Sequence, residues 1–299
     1  MFKNLTVYRI GPTWSATVDQ VQASLEASRF VECGATEPMS AGWVPPRGEG
    51  HHALAESVGG QWLLKLMIEQ RVLPGAVVKR RTTERAQAIE QETGRKPGRK
   101  QTKEIKEQVV LELLPLAFTK QVAVNVWIDP PQRLLMIDAG SPARAGQVIT
   151  KLVKALDGFS VAPLQTAQSP AAVMSDWLAS GDPPAAFSVD RDCELKAPDE
   201  SKAVVRYARH PLDPEEVRRH LVAGKQPTRL ALTWQGRVSF VLTDALQIKK
   251  LDFLEGVVEG ARAEHKDEAF DADAAIGTGE LRRLIPELVD ALGGELEMA

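Results

Sequence analysis

Two stretches, QVAVNVWIDPPQRLLMIDA at 121–139 and RLALTWQGRVSFVLTD at 229–244, restrict the fold more than anything else in this chain. In each, two runs of alternating apolar and polar residues flank turn chemistry: a DPPQ turn in the first and Gln235-Gly236 in the second. A period of two places successive side chains on opposite faces, which a strand allows and a helix does not. The short connections then force the paired runs to lie antiparallel. An isolated hairpin is at best marginally stable, so each must belong to a larger sheet whose apolar face is covered. The prediction is an α+β fold built on antiparallel sheets with packed helices.

Other strands are expected at 2–10, Gly60–Ile68, Phe187–Leu195, Ala203–Arg209 and Gln247–Phe253, and helices at Thr17–Phe30, Pro142–Leu156, Pro170–Leu178 and Glu280–Leu292. Between the strands near 203 and 229, LDPEEVRRHLVAG reads as a capped helix: Asp213 as N-cap, Pro214 first, Glu215 and Glu216 on the dipole, Gly224 at the end. Gly34–Gly50 is rich in Gly and Pro and reads as a loop, with Trp43 packed in the loop's own core. Residues 1–75 and 121–185 thus form one α+β region, 76–120 a helical hairpin, and 186–299 a second α+β region with a strand-helix unit. In the hairpin, Val77, Val78, Ala86 and Ile89 on one side and Ile105, Val109, Leu113, Leu114 and Ala117 on the other give helical stripes, and Pro115 ends the second near Leu114.

Charge singles out that hairpin. Residues 79–106 hold ten Lys or Arg and four Glu, a net +6 in a chain of net −3, so the remainder is −9. Such asymmetry fits a polyanion-binding surface, although a charge run alone is equally the solvated face of a hairpin. Candidate phosphate contacts are Lys79, Arg80, Arg81, Arg85, Arg95, Lys96, Arg99 and Lys100. The strand-helix unit carries a second basic cluster with Arg206, Arg209, His210, Arg218, Arg219, His220 and Lys225.

Catalytic signatures are missing: no GxxxxGK[ST], GxSxG, HExxH or calcium-loop pattern occurs. The pairs Asp190/Asp192 and Asp271/Asp273 have the composition of magnesium ligands, and alternate residues of a strand would share a face, but both read as solvated strand-edge charges. His51 and His52 are sequence neighbours and do not converge, and Cys33 and Cys193 form no CxxC, so no metal site and no cofactor is expected. No run of eighteen apolar residues occurs, so no membrane span is expected and a cytosolic setting is.

The blocks FKNLTVYRI, CGATEPMSAGWVPPRG, LLPLAF (113–118), VWID (126–129), LALTWQGRVSFVLTD (230–244), FDADAAIGTGEL and ALGGE together resemble the bacterial recombination-associated RdgC family over essentially the whole chain. The resemblance implies an elongated, curved subunit and a ring-shaped homodimer around a positive hole. It also implies a nucleoid-associated protein that binds single- and double-stranded DNA without sequence preference, has no catalytic role, and restrains the RecA recombinase by occupying its DNA. It further implies dimer contacts at Leu113, Leu114 and Phe118, and a DNA-touching finger tip at Arg209 and His210, where His210-Pro211 departs from the more basic and amide-rich tip of other members. Two rival readings use other residues: a magnesium-dependent nucleic-acid enzyme built on the carboxylate pairs, and a protein-interaction scaffold built on the acidic C-terminal part.

Overall fold

Residues 2–258 and 266–296 of the computed structural model are described, and they form two antiparallel sheets with eight helices. The first part contains β1 (Thr6–Ile10), α1 (Val18–Glu26), β2 (Met39–Val44), β3 (Ala55–Val58), β4 (Gln61–Arg71), α2 (Gly75–Thr93) and α3 (Arg99–Leu113). After a 3-10 turn, Leu114–Leu116, come β5 (Thr119–Asp129), β6 (Leu134–Ile137), α4 (Pro142–Ala155), β7 (Val161–Pro163) and α5 (Pro170–Ser180). The remainder comprises β8 (Phe187–Lys196), β9 (Val204–Tyr207), α6 (Pro214–Val222), β10 (Gln226–Trp234), β11 (Val238–Thr243), β12 (Ile248–Phe253), α7 (Glu255–Val258) and α8 (Lys266–Ala291). The first sheet runs β2-β4-β5-β6-β1-β7 with β3 also on β4; the second runs β12-β11-β10-β8-β9.

Both expected hairpins form, β5 on β6 with Asp129 opposite Leu134, and β10 on β11 with Trp234 opposite Val238. Gln235 and Gly236 both take positive φ, 48° and 63°, at the centre of the tight turn that Arg237 N closes on Trp234 O (2.8 Å), within a three-residue connection. All four residues of β6 are buried because the first sheet is covered on both faces. Leu135 and Ile137 pack with α1 and α4 through Val21, Leu25, Val148 and Leu152. Leu134 and Met136 join a larger core with α5, α8 and the second sheet, where Trp127, Leu232, Phe240 and Leu284 also lie. The strand from 2 to 10 is shorter than the alternation suggests. Leu5 leaves the first sheet and exchanges two backbone hydrogen bonds with Ile248, of 2.7 and 3.0 Å, which stitches β12 to the chain start.

The stretch 34–50 is not wholly loop. Trp43 is buried, as expected, but it sits in β2, paired to β4 with Trp43 opposite Leu66. Segment 28–30 crosses the other side of β2: Trp43 N donates to Ser28 O (2.9 Å) and Phe30 N to Trp43 O (3.0 Å). A Cβ on Gly42 would lie 2.4 Å from Phe30 Cα, so the glycine that makes the sequence look loop-like is what lets two backbones touch. The short strands β3 and β7 carry too few residues for a periodic signal. β9 stops at Tyr207 rather than reaching residue 209, because Arg209 adopts φ 53°.

The C-terminal helix begins well before the expected start at Glu280 and contains Pro286. Proline leaves the Arg282 carbonyl without its helical donor, and Gln132 Nε2 points at it from 3.5 Å. Leu281, Leu284, Ile285, Leu288 and Leu292 form its buried stripe. Arg282 bonds the buried carboxylate of Asp129 at 2.7 Å, and Glu287 accepts from Trp234 Nε1 at 2.6 Å, so α8 binds both sheets.

Candidate nucleic-acid interface

The basic segment folds as the predicted pair of helices. Val78, Ile105 and Val109 are its fully buried apolar side chains, with Ala86, Ile89, Val110 and Leu113 packed around them. None of these belongs to the two large cores, and α2 packs chiefly on α3. The hairpin therefore stands out from the body on a small core of its own. At its tip Gly94 takes φ 68° and returns its N–H to Glu90 O, closing α2, and Gly98 starts α3. All eight candidate cations are exposed.

They differ in how free they are. Arg80 and Arg81 lie 3.7 and 3.6 Å from Glu84, and Arg85 bonds Glu112 at 2.8 Å across the helices. Such exposed pairs contribute at most about 1 kcal/mol and yield readily to a phosphate. Among the described residues, Lys79, Arg95, Lys96, Arg99 and Lys100 have no ion pair. Arg99 and Lys100 also occupy the first turn of α3, where no acidic residue stands. Cations beside the positive end of a helix dipole disfavour the helix, and an anion placed there relieves the repulsion.

The base of the hairpin presents apolar surface. Pro115 sits in the 3-10 turn that ends α3, and Arg71 clamps this turn by donating to Leu114 O (3.0 Å) and Ala117 O (3.2 Å). Leu114 is buried within the subunit and Leu113 is half-buried against the hairpin core, whereas Phe118 is 88% exposed. Leu116, 80% exposed, and Leu111 are also open, and Val72, exposed too, bonds Phe118 O through its N–H (2.8 Å). Nothing in the helical stripe singles out Leu116. The one signal in the sequence is that Pro115 breaks the stripe and so re-aims the next side chain.

The second basic cluster is organised by a bulge. Leu230 faces Cys193 and Leu232 faces Val189, so Asp190, Arg191 and Asp192 stand opposite Ala231 alone. The bulge grips the next turn: Asp192 accepts the Arg209 N–H at 2.6 Å and Arg191 O accepts the His210 N–H at 3.2 Å. Arg209 and His210 are thereby held at an exposed turn. Arg218 donates to Ala179 O at 2.6 Å and ties α6 to α5, while Arg219 is exposed in the last turn of α6. Burial, and then the bond to Glu216, push the Tyr207 phenol up to about 12, so it remains a donor to that carboxylate.

The same bulge breaks the alternation that would have paired Asp190 with Asp192. Asp190 accepts from Thr233 Oγ1 (2.9 Å) and Asp192 holds the Arg209 turn. Asp271 pairs with Arg47 (2.7 Å), which also reaches Glu56 (3.2 Å). Asp273 lines a cavity of about 220 Å³ beside Lys65, whose ammonium is drawn down by burial and donates to Pro46 O. Among the described residues no group of three His, Cys, Asp or Glu gathers as metal ligands would. No described helix is long and apolar enough to cross a membrane.

Residues 1–295 match the family model described as "Putative exonuclease, RdgC". Among curated proteins, the chain is 51% identical over 300 residues to "Recombination-associated protein RdgC" of Dechloromonas aromatica, covering 99% of this chain and 98% of that one. It is 49% identical over 296 residues to the protein of the same name in Cupriavidus necator and 46% identical over 298 residues to that of a Janthinobacterium, with 98–99% of each chain covered. With one model spanning nearly every residue and relatives matched end to end, this chain belongs to the RdgC family of recombination-associated proteins.

Proposed function

We propose that this protein binds single- and double-stranded DNA without sequence preference, as a ring-shaped homodimer, and restrains RecA-mediated recombination by occupying the DNA. The observation that carries this reading is the hairpin tip, where Arg95, Lys96, Arg99 and Lys100 stand exposed and, among the described residues, without an ion pair in a chain of net charge −3. Lys and Arg that neutralise phosphates release counterions, which provides affinity without base readout. The apolar patch of Leu116 and Phe118 at the hairpin base supports the homodimer, since an exposed aromatic beside aliphatic neighbours has the makeup of an interface anchor. Leu114, from within, and half-buried Leu113 support the turn that presents it. Arg209 and His210, with Arg219 nearby on α6, form a second contact in this reading.

In this reading the role is binding rather than catalysis, which is supported by the engagement of three of the four candidate carboxylates, Asp190 by a hydroxyl, Asp192 by a backbone amide and Asp271 by Arg47. The test is equilibrium binding of a mixed-sequence duplex across a salt series, beside a mass determination. Neutralising Arg95, Lys96, Arg99 and Lys100 together should lower the slope of log K against log salt by about 0.9 for each phosphate they neutralise in the parent. An unchanged slope refutes the tip as the contact. Degradation of the duplex on long incubation with Mg²⁺ refutes the non-catalytic role. Recombinase inhibition should weaken in step with DNA affinity, and inhibition that survives excess DNA means direct contact with RecA instead.

A further inference from the structure

The outward face of the five-stranded sheet carries cations that the hairpin does not account for. Register places Arg206 of β9, Glu194 of β8 and Arg229 of β10 in one cross-strand row. In β12 the pairing slips: Val241 faces Lys249 and Ser239 faces Asp252, leaving two residues opposite Phe240. Ile248 and Leu251 are both buried, so Lys249 and Lys250 between them turn to the same outer side, Lys250 with φ 50°. The second bulge, in β8, adds Arg191 and the Arg209 turn. Two neighbouring open clefts, of about 310 and 640 Å³, share Asp192, Val241 and Lys250, so these cations form one continuous surface.

Three of the acids on this face, Asp190, Asp192 and Glu194, are already engaged, while Asp252, opposite Ser239, stands exposed beside the lysines. Asp190 accepts from Thr233, Asp192 from the Arg209 amide, and Glu194 from Arg206 (2.5 Å) and Thr228 (2.8 Å). Burial pushes the Glu194 carboxyl up, but those bonds and the Arg229 field outweigh it, and the group lies below its ordinary range. Lys249 donates to Gly140 O (3.3 Å). Arg191, Arg209, Arg229 and Lys250 are exposed and have no ion pair among the described residues.

We infer that this sheet face extends the Arg209 contact into a broad nucleic-acid surface, separate from the hairpin and reaching Arg229 and Lys250, that takes the phosphodiester backbone; the inference rests on the reading that the protein binds DNA. The chemistry of the face selects the occupant. Phe187, Tyr207, Trp234 and Phe240 of these strands are all buried, so no ring is offered for a base to stack on. The same lack removes the aromatic anchors around which protein partners bind tightly. A surface whose Arg191, Arg209, Arg229 and Lys250 have no ion pair among the described residues, with no exposed ring, fits a uniform polyanion contacted through its phosphates.

The experiment compares the full chain with Arg229→Gln/Lys250→Gln, with the charge-keeping Arg229→Lys/Lys250→Arg, and with the hairpin-tip variant, on one mixed-sequence duplex across a salt series. Circular dichroism and thermal melting check that each variant folds. The Gln pair should lower the salt slope by about 1.8, two phosphates at about 0.9 each, additively with the tip variant, and the charge-keeping pair should keep it. A slope that falls only in the tip variant overturns this inference and leaves the hairpin as the contact. A parent that does not bind duplex overturns both. If the Gln pair retains its slope on DNA but no longer binds poly-glutamate, the face takes acidic protein segments and the inference is wrong.

Discussion

Gly42 shows how one absent methyl group decides a sheet edge. Segment 28–30 hydrogen-bonds to Trp43, the next residue of β2, and the atoms a Cβ on Gly42 would meet are backbone atoms that have no rotamer by which to move. Gly42→Ala should therefore cost about 3 kcal/mol, at the upper end of overpacking penalties, read as a lower denaturant midpoint at unchanged m. Glu280 supports a second residue-scale prediction. Its bonds to Arg237, 2.6 and 2.8 Å, hold the carboxyl below its ordinary range, against the upward push of burial. A depressed carboxyl stabilises the fold above the unfolded-state range near about 4.3 and loses that contribution as pH falls below it. Glu280→Gln should cost about 1 kcal/mol at neutral pH, since the Arg237 side chain is partly solvated, and the gap to the parent should close as pH drops. Urea titrations over a pH series measure it.

At the scale of an element, the α2–α3 hairpin combines weak stability with concentrated charge. Three buried apolar side chains cannot hold it as firmly as the sheets are held, so Val109→Ala, which removes about 2 kcal/mol of packing, should speed amide exchange in α2 and α3 and leave β4–β6 protected. A substitution at the α3 N-terminus should separate stability from function. Arg99→Glu places an acid where the dipole favours one and should stabilise the hairpin by about 0.3–1 kcal/mol, while weakening DNA binding. Exchange rates and a salt-titrated binding curve, measured together, test this opposition. Tighter or unchanged binding would mean that the charge run is only a solvated face.

At the scale of the whole molecule, the large apolar side chain left most open among the described residues is Phe118, beside the turn that Arg71 clamps. It lies outside all three cores, so Phe118→Ala should leave subunit stability unchanged. If the ring anchors a dimer contact, the same change should weaken association by about 2 kcal/mol or more, roughly 30-fold in dissociation constant. Sedimentation equilibrium reads both forms. Equal dissociation constants would remove Phe118 from the interface.

The chain alone determined the local grammar. The hairpins at 121–139 and 229–244, the helix behind Asp213-Pro214, the break at Pro115 and the basic hairpin were legible because each depends on a few neighbouring residues: a period, a cap, a turn, a charge run. The collinear blocks carried the family. Tertiary structure decided what depends on contacts between distant segments. Gly42 in β2 became intelligible only with Phe30 lying across it, and Leu5 joined the second sheet only because Ile248 arrived beside it. Leu114 was buried and Leu116 exposed by where the 3-10 turn rests, although both read as apolar. The bulges in β8 and β12 parted Asp190 from Asp192 and turned two adjacent lysines outward. A strand's period assigns its faces only until a residue is inserted against its partner, and the partner lies too far along the chain for a local pattern to reveal it.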